Sequence, residues 1–212
     1  MEKKIFIVGA GSVGGHLACN FDEYCSGFEP AGFFDDDEKK IGTEFCGLNV
    51  IGPVKDALNL REAAIVIGIA FPGVKKMIVE KLKKNRELHF PTLIHPRAWV
   101  SGSTTIGQGC VVYPGTSINY GSEIGEFVVM NMNCALGHHT YVGNYSSLAP
   151  GVLTGGHTVI SDEVEMGIGA ATIQGISIGK GSMVGGHSMV TKNIPHNTVA
   201  KGVPAKFKSL ER

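Results

Sequence analysis

The stretch Ile124-Gly125-Glu126-Phe127-Val128-Val129-Met130-Asn131-Met132-Asn133-Cys134-Ala135-Leu136-Gly137-His138-His139-Thr140-Tyr141-Val142-Gly143 repeats an aliphatic residue at every sixth position: Ile124, Met130, Leu136, Val142. The same step of six runs from Val100 to Val190 without a slip. Fourteen of its sixteen positions are Val, Ile, Leu or Met, the exceptions being Thr154 and Thr172. Ordinary composition puts an aliphatic residue at roughly a third of positions, so chance does not account for the pattern. Glycine often follows the anchor, as at Gly107, Gly125, Gly137, Gly143, Gly155, Gly167, Gly179 and Gly185. Four residues after the anchor stands a small or β-branched residue, such as Thr104, Cys110, Thr116, Ser122, Cys134, Ser146, Ala170 or Ser182. Period six is neither the helical 3.6 nor the strand's two. It fits a solenoid in which each hexad is one short strand and a corner, with anchors pointing into a prism and glycines allowing φ > 0 at the corners. A β-sandwich would instead alternate with period two and turn every 8–12 residues.

Outside the repeat the pattern changes. Residues 1–92 alternate strand-like and helix-like runs, so two domains are expected, 1–92 and 93–212. Ile5-Phe6-Ile7-Val8, Ala31-Gly32-Phe33-Phe34 and Ala64-Ile65-Val66-Ile67 read as buried strands. A helix is expected through Leu17, Ala18 and Phe21. A second, basic and amphipathic, is expected from Val74 to Leu88, with Val74, Ile78 and Leu82 on one face. This βαβ order implies a parallel sheet. Between the first strand and helix lies Gly9-Ala10-Gly11-Ser12-Val13-Gly14, a GxGxxG match whose backbone N–H groups suit a diphosphate. Asp35 ends the next strand, 24 residues after Gly11, a spacing that also suits the ribose contact of an NAD site.

Bulk properties exclude several classes. Lys plus Arg and Asp plus Glu balance at 19 each, which leaves no electrostatic footprint for nucleic acid or an anionic membrane. Charged residues make up only 18% of the chain, consistent with surface buried against other subunits. No apolar run reaches the length of a membrane span, and the N-terminus lacks the features of a signal peptide. The five cysteines, Cys19, Cys25, Cys46, Cys110 and Cys134, are odd in number and form no Cys-x-x-Cys pair. They read as reduced packing residues of a cytoplasmic protein.

The hexads, with Gly202-Val203-Pro204-Ala205-Lys206 after them, resemble the hexapeptide-repeat acyltransferases. That resemblance implies a left-handed parallel β-helix of three hexads per coil, about five coils here. The first half narrows it. Ile7-Val8-Gly9-Ala10-Gly11, Gly32-Phe33-Phe34-Asp35-Asp36, Ile67-Gly68 and Leu93-Ile94-His95-Pro96 resemble the sialic-acid O-acetyltransferase and UDP-4-amino-sugar N-acetyltransferase group. So does Asn131-Met132-Asn133-Cys134-Ala135-Leu136-Gly137-His138. The group pairs a Rossmann-like α/β domain with an all-β left-handed β-helix.

The resemblance implies site residues. His138 falls on the catalytic base, a role that imidazole chemistry suits. His139 stands where the family carries Asp or Glu, so the orienting partner of the base differs here. The acetyl-CoA contacts fall on Ser147, Ile168 and Gly186, with Ser147 replacing a frequent histidine. The nucleotide-sugar positions fall on Gly11, Ser12, Val13, Asp35, Asp36 and Gly68, and Val13-Gly14 replaces a frequent Gly-His. The Gly202–Lys206 tail falls near the CoA nucleotide. Residues 18 apart share a column of the prism, about 4.8 Å apart. Tyr120 and Gly156 therefore flank His138, and Gly156 is a candidate wall residue near the acceptor. His139 and His157 form a stacked pair. Hexapeptide carbonic anhydrases bind zinc through histidines five residues apart; no two histidines here have that separation, so no metal is expected and the pair reads as polar lining.

The expected chemistry is direct attack. The acceptor loses its proton to His138 and attacks the thioester, with backbone N–H groups holding the oxyanion. No nucleophilic cysteine or serine is called for. The family packs three prisms in parallel with sites between them, so a homotrimer is expected. Three functions compete: N-acetylation of a nucleotide-linked amino sugar for a surface polysaccharide, O-acetylation of a sialic-acid-type sugar, and a non-catalytic module binding NAD or a nucleotide. A sugar nucleotidyltransferase also joins an α/β domain to a β-helix, but opens with a longer domain and an Arg-containing Gly-rich loop absent here.

Overall fold

The structure is a computed structural model that describes residues 3–24 and 27–209. Cys25 lies outside the described residues. The chain divides into two compact units, Met1–Leu93 and Ile94–Arg212.

The first unit is a six-stranded sheet with two helices. Its strands are β1 (Lys3–Val8), β2 (Phe28–Phe34), β3 (Glu44–Phe45), β4 (Leu48–Gly52), β5 (Ala63–Ile67) and β6 (Leu88–His89), in the spatial order β3-β4-β2-β1-β5-β6. All neighbours pair in parallel except the β3–β4 hairpin. Helix α1 (Ser12–Cys19) leads from β1 towards β2, and α2 (Pro72–Leu82) from β5 to β6. Strand β5 is buried along its whole length, as a central parallel strand must be. The strand order reverses between β1 and β5, where doubly wound sheets open a crevice at their carboxyl ends.

Two details differ from expectation and a third adds to it. Helix α2 stops at Leu82 rather than Leu88, and Leu88 is instead a strand residue paired with Ala63. The stop is set by Asn85, whose side-chain amide donates to the carbonyls of Leu58 and Leu60 and so draws the chain out of the helix. The buried face of α2 is Lys75, Ile78, Val79 and Leu82, while Val74 is exposed. The β3–β4 hairpin had no expectation; its turn residues Cys46 and Gly47 both have positive φ, which suits a tight two-residue hairpin.

The second unit is a parallel β-helix with three faces. Face one stacks Val111–Val112, Val129–Met130, Ser147–Leu148, Glu165–Met166 and Met183–Val184. Face two stacks Trp99–Val100, Ser117–Ile118, Ala135–Leu136, Leu153–Thr154, Ala171–Thr172 and Met189–Val190. Face three stacks Thr105–Ile106, Glu123–Ile124, Tyr141–Val142, Val159–Ile160 and Ser177–Ile178. Each strand has two residues and pairs with the strand 18 residues away, as Ile124 does with Val142. From Trp99–Val100 to Met189–Val190 the second residue of each strand is one of the sixteen anchors, and Ile118, Met130, Val142, Ile160, Ile178 and Val184 are fully buried; Leu93–Ile94 precedes them in the sheet of face one. Thr198–Lys201 extends face one in parallel, and Lys206–Ser209 closes it as an antiparallel strand, with Gly202–Ala205 as the connecting turn.

The corner glycines work differently from expectation. Positive φ occurs three residues after the anchor, at Gly109, Gly115, Gly121, Gly151, Gly169, Gly175 and Gly181, not at the glycine directly after it. That first glycine is required by space. A Cβ at Gly107 would lie 2.7 Å from the Gly125 carbonyl carbon, and one at Gly137 would lie 2.6 Å from Gly156 N. Adjacent coils approach there backbone to backbone.

The cysteines also divide. Cys110 and Cys134 are buried packing residues with weak thiol donation to the carbonyls of Gly125 and Ala149, and burial pushes the Cys134 thiol up to about 11. Cys19 and Cys46 are exposed, so the packing expectation fails for them: one ends α1 and the other sits in the hairpin turn.

Candidate active site

His138 and His139 sit at the corner joining face two to face three, two and three residues after the anchor Leu136. Two ladders of backbone bonds fix that corner: His139 N–H donates to the Tyr120 carbonyl at 2.9 Å, and His157 N–H to the His138 carbonyl at 2.8 Å. The two threonines that interrupt the aliphatic pattern reinforce it. Gly137 N–H donates to Thr154 Oγ1 at 3.0 Å, and Thr140 O–H donates to the Gly137 carbonyl at 2.7 Å. The two hydroxyl oxygens are 3.1 Å apart. Thr172, Thr158 and Gly155 repeat the motif one coil on.

The His138 ring is held on both faces. Tyr120 stacks on it at 5.4 Å and 14° from parallel. On the other side lies Gly156, where a Cβ would come within 2.6 Å of His138 Nε2 and 2.7 Å of Cε1. His138 Nδ1 is 3.1 Å from His139 Nδ1, a hydrogen bond between two imidazoles. With the proton on His138 Nδ1 and the lone pair on His139 Nδ1, His138 Nε2 carries a free lone pair. In the other tautomer His139 Nδ1 is the donor and His138 Nδ1 the acceptor.

His139 and His157 occupy corner positions with φ of 56° and 57°. Their column reads Gly121, His139, His157, Gly175, so glycine holds the same left-handed corner on either side. Their rings stack at 4.8 Å and 8°, and His138 meets His157 edge-on at 5.0 Å. The His139 ring lies over Gly121, where a Cβ would approach its Cδ2 to 2.8 Å. One ring nitrogen from each of His138, His139 and His157 lies within 4.8 Å of the other two. The 18-residue spacing pairs His139 with His157; that His138 joins them depends on ring orientation, which spacing does not carry.

The expected acetyl-CoA contacts lie elsewhere on the chain. Ile168 and Gly186 sit at the corner joining face one to face two, and Ser147 is a buried strand residue of face one. Ile168 is 58% exposed. Within one chain, His138 and the Ile168–Gly186 column therefore occupy different edges of the prism.

In the first unit, Gly9, Gly14 and Gly68 make the close approach between α1 and strands β1 and β5. A Cβ at Gly68 would meet Gly14 Cα at 2.8 Å, and one at Gly14 would collide with the Gly9 carbonyl oxygen. Gly68 is buried under that contact. Gly11 and Ser12 are exposed at the start of α1, and nothing crowds Gly11. The Val13 side chain is buried, so only its backbone N–H can serve a ligand. Asp35 is heavily committed: it accepts from Ala10 N–H at 2.7 Å, Asp37 N–H at 2.9 Å and Lys40 Nζ at 3.2 Å. Burial raises its carboxyl, but those bonds and the Lys40 charge outweigh it and hold the pKa below the usual 3.8. Asp36 accepts from Val54 N–H at 2.8 Å, at the start of the short 3₁₀ turn Val54–Asn59.

Among known proteins, the acetyltransferase domain of PglB from Neisseria gonorrhoeae superposes with a TM-score of 0.88 at 26% identity, covering 96% of this chain and 98% of that one. An alanine variant of GDP-perosamine N-acetyltransferase from Caulobacter crescentus, solved with CoA and GDP-perosamine, gives a TM-score of 0.88 at 27% identity and covers 98% of each chain. In sequence, the galactoside O-acetyltransferase of Lactococcus lactis is 45% identical over 49 residues, 23% of this chain and 24% of that protein. The alignments span about a quarter of the length of the curated relatives that the chain matches. No family model matches. A repeat-built β-helix behind an α/β unit, matched end to end by such enzymes, defines an acetyltransferase architecture. The chain is similar to these acetyltransferases over nearly its whole length, and structures among them were solved with CoA and GDP-perosamine or with acetyl coenzyme A.

Proposed function

We propose that this chain transfers the acetyl group of acetyl-CoA to the amino group of a nucleotide-linked amino sugar, with His138 as general base. The observation that carries the reading is the His138 ring, clamped between Tyr120 and Gly156 with its Nδ1 bonded to His139. This leaves Nε2 to accept a proton. The acceptor nitrogen attacks the thioester carbonyl carbon, the C–N bond forms, and the amine proton passes to Nε2. The C–S bond then breaks, and the proton on Nε2 passes to the sulfur, so that CoA leaves as the thiol and His138 returns to its neutral form. General-base help of this kind is worth roughly 10²–10⁴-fold.

Acetyl-CoA contacts are assigned to Ser147, Ile168 and Gly186, and the nucleotide to the Rossmann-like first unit through Gly11, Ser12, Val13, Asp35, Asp36 and Gly68. Asp35 and Asp36 act there chiefly by shaping the loop, since their carboxylates are engaged with the backbone. A homotrimer completes the site. Base and CoA contacts occupy different prism edges, so a neighbouring copy has to bring the second edge to the first. The five most exposed apolar side chains of the coils, Trp99, Tyr120, Leu153, Ile168 and Ile173, lie on face two or its two bordering corners, with Tyr141 and Val159 on face three and Met183 on face one less exposed, which suits burial of face two between prisms.

The test is acetyl-CoA thiol release against a panel of UDP- and GDP-linked amino sugars and sialic acid. Turnover restricted to amine acceptors supports the reading. Turnover only with hydroxyl acceptors replaces it with sugar O-acetylation. Absence of turnover, with tight nucleotide binding, replaces it with a binding module.

A further inference from the structure

The geometry points to a divalent transition-metal site made by His138, His139 and His157, through which Zn²⁺ shuts off the base. Its inhibitory half rests on the proposed role of His138; its binding half stands on the cluster alone.

Three imidazoles lie with ring nitrogens within 4.8 Å of one another, and among the described residues no carboxylate or thiol joins the group. A three-nitrogen donor set suits Zn²⁺, Cu²⁺, Ni²⁺ or Co²⁺ and not Mg²⁺ or Ca²⁺. Tetrahedral Zn–N bonds of about 2.0–2.1 Å put ligand nitrogens about 3.4 Å apart. The His138–His139 pair, at 3.1 Å, is already close to that spacing. His157 needs a ring rotation to bring its nitrogen in from its stack on His139. The ring contacts of His157 are with His138 and His139 themselves, so the rotation exchanges contacts inside the cluster. The three backbones are tied by the ladder bonds of the corner, so closure asks only for side-chain movement. Solvent exposure leaves a fourth position for water.

The placement of these residues supports a built cluster. Left-handed corners in this column are filled by glycine at 121 and 175, and by histidine only at 139 and 157. Gly121 and Gly156 lack the Cβ atoms that would collide with the His139 and His138 rings. Coordination also explains how inhibition would follow. A metal on His138 Nδ1 takes the place of the Nδ1 proton, so the ring's single remaining proton sits on Nε2 and the base lone pair is gone. A metal on Nε2 blocks it directly.

The experiment uses chelator-stripped full-length protein titrated with Co²⁺, read by its visible absorption, with Zn²⁺ competition and in parallel the thiol-release assay. We expect one Co²⁺ per chain with four-coordinate bands, displaced by Zn²⁺. We expect His157→Gly, which restores the corner residue of this column, to weaken binding by about tenfold or more. Stoichiometric Zn²⁺ should depress turnover of the parent, and His157→Gly should need about tenfold more. His157→Phe, which keeps a ring on the stack but no nitrogen, should behave alike; matching circular dichroism shows that either variant is folded. Absence of stoichiometric uptake, or uptake unchanged by both variants, overturns the site. Uptake through the cluster with full turnover overturns the inhibitory half. A chain without acetyltransferase activity still answers the binding question through absorption, so failure of the proposed function and failure of the metal site are separable.

Discussion

Gly156→Ala tests the base by geometry and not by deletion. The new methyl would lie 2.6 Å from His138 Nε2, whereas ordinary contact begins near 3.4 Å, so the ring has to retreat by 3.4 − 2.6 = 0.8 Å. Tyr120, stacked on the opposite face at 5.4 Å, blocks a simple retreat, so the ring tilts or turns about its side-chain torsions. Gly156 has no positive φ, so alanine fits its backbone, and the colliding atoms belong to the end of a movable side chain. The fold should therefore survive with a melting point within a few degrees of the parent. Misplacing a reacting group by about 1 Å costs on the order of 10²-fold, or about 2.7 kcal/mol in the barrier. The assay is steady-state thiol release with a saturating amino-sugar nucleotide, alongside thermal melting. We expect kcat to fall about 100-fold with stability nearly intact. A kcat within threefold of the parent, in a folded variant, would refute the claim that the His138 ring is held in working position against a bare backbone.

Further outcomes follow from the same structure. His138→Ala should lose roughly 10²–10⁴-fold in turnover while keeping its circular dichroism, and unchanged turnover removes His138 from the base role. Thr154→Val deletes the side-chain acceptor of Gly137 N–H, which keeps its bond to the Thr154 carbonyl, and removes the partner of Thr140; it should cost about 1 kcal/mol in chemical denaturation. Asp35 has a folded pKa below 3.8, so its bonds contribute fully above that value and are lost as pH falls through the lower folded value. The gap in melting temperature between parent and Asp35→Asn should accordingly be widest near neutrality and shrink below pH 4. Light scattering after size exclusion should report three chains; a monomer would contradict the shared site.

The β-helix was legible because a repeat averages out local noise. Each of the sixteen anchors read at step six is the second residue of a two-residue strand. The chemistry of the corners was less so. Positive φ falls three residues past the anchor, where Phe127, Asn133, His139, Tyr145, His157, Glu163 and His187 also stand, so residue type alone hides the position. The glycine that composition does reveal, next to the anchor, answers a different constraint, the contact of backbone with backbone between coils. In the first unit, the end of α2 was missed because Asn85 acts through the remote carbonyls of Leu58 and Leu60. At the site, spacing of 18 placed Tyr120, His138 and Gly156 in one column. It could not give the orientations that bring His138 against both His139 and His157.

The two non-aliphatic anchors gain meaning from where they fall. Thr154 and Thr172 look like weak points in a hydrophobic column, since a buried hydroxyl without a partner costs free energy. Each instead binds the glycine N–H and threonine hydroxyl of the corner one coil earlier, and those two corners carry His138, His139, Gly156 and His157. A valine at either anchor would fill the core and leave the corner attached by its ladder bonds alone. Tyr120 and Gly156 bound the His138 ring on its two faces, and the hydrogen bonds beneath the corner fix the backbone from which it projects. Breaking the aliphatic rule at 154 and 172, and nowhere else among the sixteen anchors, puts the extra hydrogen bonds under the two corners that carry the histidine cluster, where the proposed base would need them.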